Sequence, residues 1–81
     1  MNYPDPKDLS LFDIADKFLH DDKLKDIVVS NMEKHGGGFV KWLAAGFHKA
    51  DKDNTYKLAH TFVNYISDYW PTKWRILNDQ G

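Results

Sequence analysis

Apolar side chains recur three or four residues apart along most of this chain, a spacing typical of amphipathic helices. The pattern predicts four helices, over residues 10–19, 22–35, 38–50 and 52–69. Ser10 and Asp51 precede the first and fourth helices and are suited to cap their free backbone N–H groups. The sequence therefore predicts an all-α fold, a small bundle of about four short helices with an extended N-terminus and an irregular C-terminal tail.

Three consecutive glycines separate the second predicted helix from the third. We expect Gly36 to end the second helix in the left-handed conformation, because glycine adopts a positive φ without strain. Gly46 lies inside the third helix, where glycine costs about 1 kcal/mol relative to alanine, so we expect another helix to pack closely there. Pro71 ends the fourth helix, since the residue before a proline disfavours the helical conformation.

Length and composition indicate one helical domain over residues 1–81, with residues 1–8 and 72–81 expected to be flexible. Hydrophobic residues make up 42% and aromatic residues 15% of the chain, which favours a packed core over disorder. The chain has no cysteine, so disulfides and thiolate metal sites are excluded. The apolar runs are too short to span a bilayer and the first residues lack signal-peptide features, which predicts a cytoplasmic protein without membrane contact.

The sequence contains no recognisable catalytic or metal-binding motif. Its serines lack the GxSxG turn, and its four histidines form no zinc-binding pair on one helix face. Residues 51–55 resemble the start of a calcium loop, but Tyr56 and Phe62 stand where that loop needs a glycine and an acid. The three glycines lack the remaining elements of a phosphate-binding loop. We therefore predict a protein that is not an enzyme and binds no cofactor or metal.

Large aromatic side chains are concentrated towards the C-terminal end, together with cationic residues. Tryptophan, tyrosine and arginine are the residue types that dominate the binding energy of protein interfaces. The candidate partner-binding residues are Trp42, Tyr65, Tyr69, Trp70, Trp74 and Arg75. The same rings can instead complete a small core, and Trp42 fits either the interior or the rim. The leading prediction is a non-catalytic module that binds another protein, either a host protein or a second copy of itself.

Two alternative functions remain open from the sequence. The second and third helices with the glycine turn fit a helix-turn-helix that binds DNA. Its candidate nucleic-acid face consists of Lys41, His48, Lys49 and Lys52. Arg75 is the only arginine, whereas arginine makes the commonest specific contact with guanine, and the net charge of −1 gives no general attraction to phosphate. The other alternative is a homo-oligomeric structural or accessory protein.

A set of short patterns between residues 36 and 70 resembles small proteins of phages and prophages. The patterns are Gly37-Gly38-Phe39-Val40, Ala50-Asp51-x-x-Asn54, Phe62 and Tyr69-Trp70. The resemblance implies a helical hairpin and a mobile-element origin, and it carries over no catalytic residue. It also implies action by binding a host protein, for example as an anti-CRISPR-like inhibitor of a defence complex, or a role as an accessory or assembly factor.

Overall fold

The computed structural model describes residues 3–72, and within them the chain is helical with no β-strand. A short 3-10 helix is followed by five α-helices. These are the 3-10 helix Pro6–Asp8 and the α-helices α1 (Leu11–His20), α2 (Asp22–His35), α3 (Gly38–Lys49), α4 (Lys52–Thr61) and α5 (Val63–Asp68). The predicted all-α class is confirmed, and the first three helices match the predicted bounds to within one residue.

Three of the α-helices begin at a side-chain cap. Ser10, Asp21 and Asp51 each accept a hydrogen bond from the backbone N–H three residues further on, at 2.8 to 3.1 Å. A cap of this kind stabilises a helix by about 1 kcal/mol. Because each bond spans only three residues, the start of these helices is encoded locally.

A single apolar cluster joins all five helices. Helix α1 packs against α2, α4 and α5, and α3 packs mainly against α2. The rings of Phe18 in α1 and Phe47 in α3 meet edge to face, with their centroids 5.0 Å apart. The largest fully enclosed apolar side chains are Trp70, Phe18, Ile14, Leu24, Met32, Leu43, Ile66 and Val28.

The turn between α2 and α3 differs from the prediction. Gly36 has φ −81° and ψ 157°, and no glycine among residues 3–72 has a positive φ, so the expected left-handed cap is wrong. Glycine is needed here for space instead. A Cβ atom at this position would lie 2.5 Å from the carbonyl oxygen of Met32 and against the side chain of Val40. The missing side chain lets α3 pack directly over the end of α2.

The predicted fourth helix, residues 52–69, is divided into two helices at Phe62. The backbone of Phe62 leaves the helical region, with φ −112° and ψ 32°, and its carbonyl oxygen accepts the N–H groups of Tyr65 and Ile66. Neither glycine nor proline lies near this point. Both resulting helices pack against α1, so the break leaves two short helices on the same neighbour.

The beginning and the end of the described chain are held together. The indole N–H of Trp70 donates a hydrogen bond of 2.8 Å to the carbonyl oxygen of Pro4. Tyr3 and Leu9 pack partly against the core. The part of the N-terminal segment that the structure describes therefore contacts the bundle through Tyr3, Pro4 and Leu9.

Candidate protein-binding surface

Four aromatic side chains from α3 and from the junction of α4 and α5 lie together on one side of the bundle. These residues, which we call the aromatic surface, are Phe39, Trp42, Phe62 and Tyr65. The ring of Phe39 is central, with its centroid 6.3 Å from that of Trp42, 5.8 Å from that of Phe62 and 5.5 Å from that of Tyr65. The four rings thus form one connected group.

Helical spacing explains how two separate segments supply these rings. Residues 39, 42 and 46 follow one another along one side of α3, and residues 58, 62 and 65 do so along α4 and α5. The two sides meet at Gly46, where a Cβ atom would lie 3.8 Å from Cδ1 of Leu58. Gly46 therefore faces Leu58 of α4, but the close helix packing expected there is not found, because the contact distance is ordinary and leaves room for a methyl group.

Exposure divides the four rings into two pairs. Trp42 is 73% exposed and Phe39 is 47% exposed, whereas Phe62 and Tyr65 are half-buried and pack against the core. The outer pair therefore rests on an inner pair that the core holds in place. Exposed apolar groups of this size mark interaction sites more often than single scattered residues do.

The remaining predicted partner-binding residues do not join this surface. Trp70 is fully buried and hydrogen-bonded to Pro4, so the expectation that it faces a partner is corrected: its ring completes the core. Tyr69 is half-buried and packs against the core, and its carbonyl oxygen accepts a hydrogen bond from the side chain of Asn31. Trp74 and Arg75 lie outside the described residues.

Two residues of the aromatic surface escaped the sequence-based selection. Phe39 and Phe62 recur at helical spacing with apolar neighbours, Val40, Leu43 and Phe47 for Phe39, Leu58, Tyr65 and Ile66 for Phe62, and this spacing alone predicts a buried side for both. An apolar stripe does not reveal which of its members a neighbouring helix will cover. Both residues belong to the pattern that resembles small phage proteins, and no other local signal marks them.

One lysine shares the side of α3 that carries Trp42. Lys49 follows Trp42 by seven residues, or about two turns, whereas Lys41 directly precedes Trp42 and Lys57 directly precedes Leu58, so neither of these two faces the same way as its neighbour. All three are exposed, and none forms an ion pair with another residue between positions 3 and 72. Helix α3 contains no acidic residue. Helix α3 therefore carries exposed lysines without an ion-pair partner in the described part of the chain.

The four residues of the alternative nucleic-acid face have different surroundings. Lys41 and Lys49 are exposed on α3, and Lys52 is exposed at the start of α4. His48 contacts Glu33 of α2, with 2.8 Å between its Nε2 and the carboxylate oxygen. A carboxylate thus lies within this face, although DNA binding stays a prediction.

A second group of exposed rings lies between α1 and α4. The centroid of His60 is 5.7 Å from that of Phe12 and 4.4 Å from that of Tyr56. Phe12 is 61% and Tyr56 is 56% exposed. None of these three residues was selected from the sequence. No ring contact connects this group to the aromatic surface within the described residues, so its members can serve as controls for it.

Among the described residues, one titratable group has a clearly altered environment. Burial raises the pKa of the Tyr3 phenol, and the negative charge of Asp21 raises it further. The hydroxyl oxygen of Tyr3 is buried and has no hydrogen-bond partner between residues 3 and 72.

Between residues 3 and 72, no three or more histidine, aspartate or glutamate side chains are grouped so that they can hold a metal ion. No helix of the described chain is both long and apolar enough to cross a membrane.

No family model, no curated protein and no solved structure matches this chain. The aromatic surface is therefore interpreted from its own geometry and chemistry.

Proposed function

We propose that this protein is a non-catalytic module that binds another protein through the aromatic surface. The observation that carries the proposal is the position of Trp42, which is 73% exposed yet lies against Phe39, whose ring in turn contacts Phe62 and Tyr65. An exposed tryptophan next to partly fixed rings has the character of an interface anchor, because less side-chain freedom is lost when a partner covers it.

The area of Trp42 is large enough to matter for affinity. A tryptophan side chain buries up to about 250 Å² when enclosed, so the exposed part of Trp42 offers on the order of 150 Å² or more. At about 25 cal/mol per Å², covering that area contributes roughly 4 kcal/mol before the costs of association. One residue can therefore supply a substantial share of a micromolar affinity, which corresponds to about 8 kcal/mol.

The resemblance to phage proteins supports a more specific form of the proposal. Phe39 and Phe62 belong both to the pattern shared with those proteins and to the aromatic surface. In this form, the protein is encoded by a phage or another mobile element and inhibits a host protein or defence complex by occupying one of its surfaces.

The proposal is tested by comparing two single substitutions of exposed rings. The tagged protein is incubated with extract of cells that naturally produce it, and the captured proteins are compared for wild type, Trp42→Ala and Tyr56→Ala. Tyr56 belongs to the separate ring group around His60 and serves as the matched control. We expect Trp42→Ala to weaken capture about 30-fold or more, the effect of losing an interface anchor of 2 kcal/mol, and Tyr56→Ala to retain it.

Both substitutions change exposed side chains, so each variant should unfold within about 0.5 kcal/mol of wild type. Sedimentation of the purified protein at several concentrations shows whether the partner is a second copy. Capture of the same proteins, in the same amounts, by wild type and Trp42→Ala would overturn the proposal.

A further inference from the structure

An exposed ring and an open cavity lie on the same face of the bundle, between α1 and α4. Phe12 and Leu19 share one side of α1, and Tyr56 and His60 share one side of α4. The ring of His60 contacts those of Phe12 and Tyr56. Leu19 and Tyr56 in turn line a cavity of about 530 Å³. We call these rings and this cavity together the α1–α4 face.

The cavity can take an aromatic ring from outside. Its apolar walls come from Leu19 of α1, from Ala50 at the end of α3 and from Tyr56 of α4. Lys52 and Asp53 also belong to its lining, and both are exposed, so their charged ends stay in contact with water. Cavities of about 300 to 1,000 Å³ bind whole drug-sized molecules, so a single ring fits inside this one.

The ring and the cavity are spaced so that two copies of the chain can satisfy each other. Seven residues separate Phe12 from Leu19, and an α-helix rises about 1.5 Å per residue, so the two lie about 10 Å apart along α1. A two-fold axis midway between them places the ring of each copy over the cavity of the other. The face is therefore self-complementary, as the interface of a two-fold symmetric dimer must be.

We propose that two copies of this protein associate through the α1–α4 face, with Phe12 of each copy inserted into the cavity of the other. The net charge of −1 per copy opposes this association only weakly. The aromatic surface takes no part and stays free on both copies, so the dimer presents Trp42 twice. Capture of a partner by Trp42 needs a single copy, and Tyr56→Ala remains a control for it.

The apolar area of this face suits a small, reversible dimer. Phe12 is 61% and Tyr56 is 56% exposed, so each ring offers on the order of 100 Å². Two copies bring together about 400 Å² of ring surface. A specific interface buries at least about 1,200 Å² in total, a little over half of it apolar. The rings supply more than half of that apolar area and the cavity walls add to it, so we expect a micromolar Kd.

A side chain of an unrelated protein is the other possible occupant of the cavity. The exposure of Phe12 argues against it. A partner that filled only the cavity would leave this ring uncovered about 10 Å away, whereas a second copy covers both sites with one repeated contact.

The association of the full-length protein is measured by analytical ultracentrifugation from about 5 μM to about 1 mM, a range suited to weak dimers. We expect wild type to form dimers. Phe12→Ala removes both inserted rings, and each lost contact should weaken the dimer about tenfold, so Kd should rise about 100-fold. Leu11→Ala is the matched control, because Leu11 is 52% exposed and directly precedes Phe12, so it points another way and should leave Kd unchanged.

Filling the cavity tests the same contact from its other side. Ala50→Trp places a large side chain in the cavity and leaves Phe12 intact. Neither Phe12→Ala nor Ala50→Trp can then form an inserted contact with itself, but a mixture of the two joins an intact ring to an intact cavity once. With one variant fluorescently labelled, the mixed dimer should be about tenfold tighter than either variant with itself.

Several results would overturn the inference. These are wild type that stays monomeric at about 1 mM, Phe12→Ala that dimerises like wild type, and a mixture no tighter than its two components. If Ala50→Trp lacks a cooperative urea transition, the comparison of Phe12→Ala with Leu11→Ala decides. A dimer that is lost in Trp42→Ala and kept in Phe12→Ala would refute this inference and support the proposed function, with a second copy as the partner of the aromatic surface.

Discussion

Replacing Gly36 by alanine should destabilise the protein although its backbone conformation suits any residue. With φ −81° and ψ 157°, alanine meets no conformational strain at this position. Its Cβ atom, however, would lie 2.5 Å from the carbonyl oxygen of Met32 and against the side chain of Val40. The carbonyl of Met32 also accepts the N–H of Gly36 at 2.9 Å, so relieving the clash disturbs the bond that closes α2.

The magnitude follows from the cost of inserting a methyl group where there is no room. Overpacking typically costs 1 to 3 kcal/mol, so we expect Gly36→Ala to lower the free energy of unfolding by about 2 kcal/mol. For a domain of this size, each 1 kcal/mol shifts Tm by roughly 4 to 8 °C. Thermal and urea unfolding, followed by far-ultraviolet circular dichroism, would resolve such a change.

The two following glycines provide matched controls. A Cβ atom at Gly37 or Gly38 would meet nothing within 4 Å, and neither residue has a positive φ. Alanine there restricts the unfolded chain, so Gly37→Ala and Gly38→Ala should be neutral or stabilise by about 0.4 to 1 kcal/mol. The reasoning fails if Gly36→Ala is as stable as wild type, or if all three variants lose stability equally, since the turn would then need general flexibility.

Three further substitutions test other contacts by urea unfolding. Gly46→Ala should stabilise by about 1 kcal/mol, because the Cδ1 atom of Leu58 leaves room for a methyl group at 3.8 Å; a loss of stability would contradict this. Trp70→Phe should destabilise by at least about 2 kcal/mol, because it removes the hydrogen bond to Pro4 and leaves a cavity; an unchanged midpoint would count against that contact. Tyr3→Phe should stabilise by about 1 kcal/mol, because it removes a buried hydroxyl without a partner in the described chain. Folding raises the pKa of the Tyr3 phenol, so above about pH 10 the folded protein keeps a proton that the unfolded chain has lost. The free energy of unfolding of the wild type should therefore fall as pH rises above about 10, and Tyr3→Phe should lack this part of the loss.

The helix starts were predictable because their determinants are local. Ser10, Asp21 and Asp51 each bond to a backbone group three residues away, and the apolar spacing that follows them continues for several turns. Neither feature depends on what the helix packs against. The all-α class and most helix bounds therefore follow from the order of residues alone.

Features that depend on distant residues were not predictable in the same way. The hydrogen-bond partner of Trp70 lies 66 residues earlier in the chain, so no neighbouring residue indicates that this ring is enclosed. The break at Phe62 comes without glycine or proline, and the modest helix propensity of Thr61, Val63 and Asn64 extends over the whole segment and marks no single position. The left-handed cap expected at Gly36 follows a common rule, whereas the actual requirement there is set by Val40 of the next helix.

Two of the four residues of the aromatic surface could be predicted from the sequence, and the other two could not. Trp42 and Tyr65 were selected because of their residue type, which is independent of the packing. Phe39 and Phe62 belong to apolar stripes, and only the relative placement of α3 and α5 leaves their rings beside each other at the surface. Residue type can thus identify a candidate interface residue, whereas the other residues of the surface around it can be identified only from the structure.

The hydrogen bond from the indole of Trp70 to the carbonyl oxygen of Pro4 makes one proton a reporter of whether the N-terminal segment stays attached to the bundle. The indole proton of Trp70 can exchange with deuterium only after the first residues separate from the end of the last helix. Its exchange rate, compared with that of backbone amides in α1, would show whether the N-terminal segment detaches by itself or only when the bundle opens as a unit.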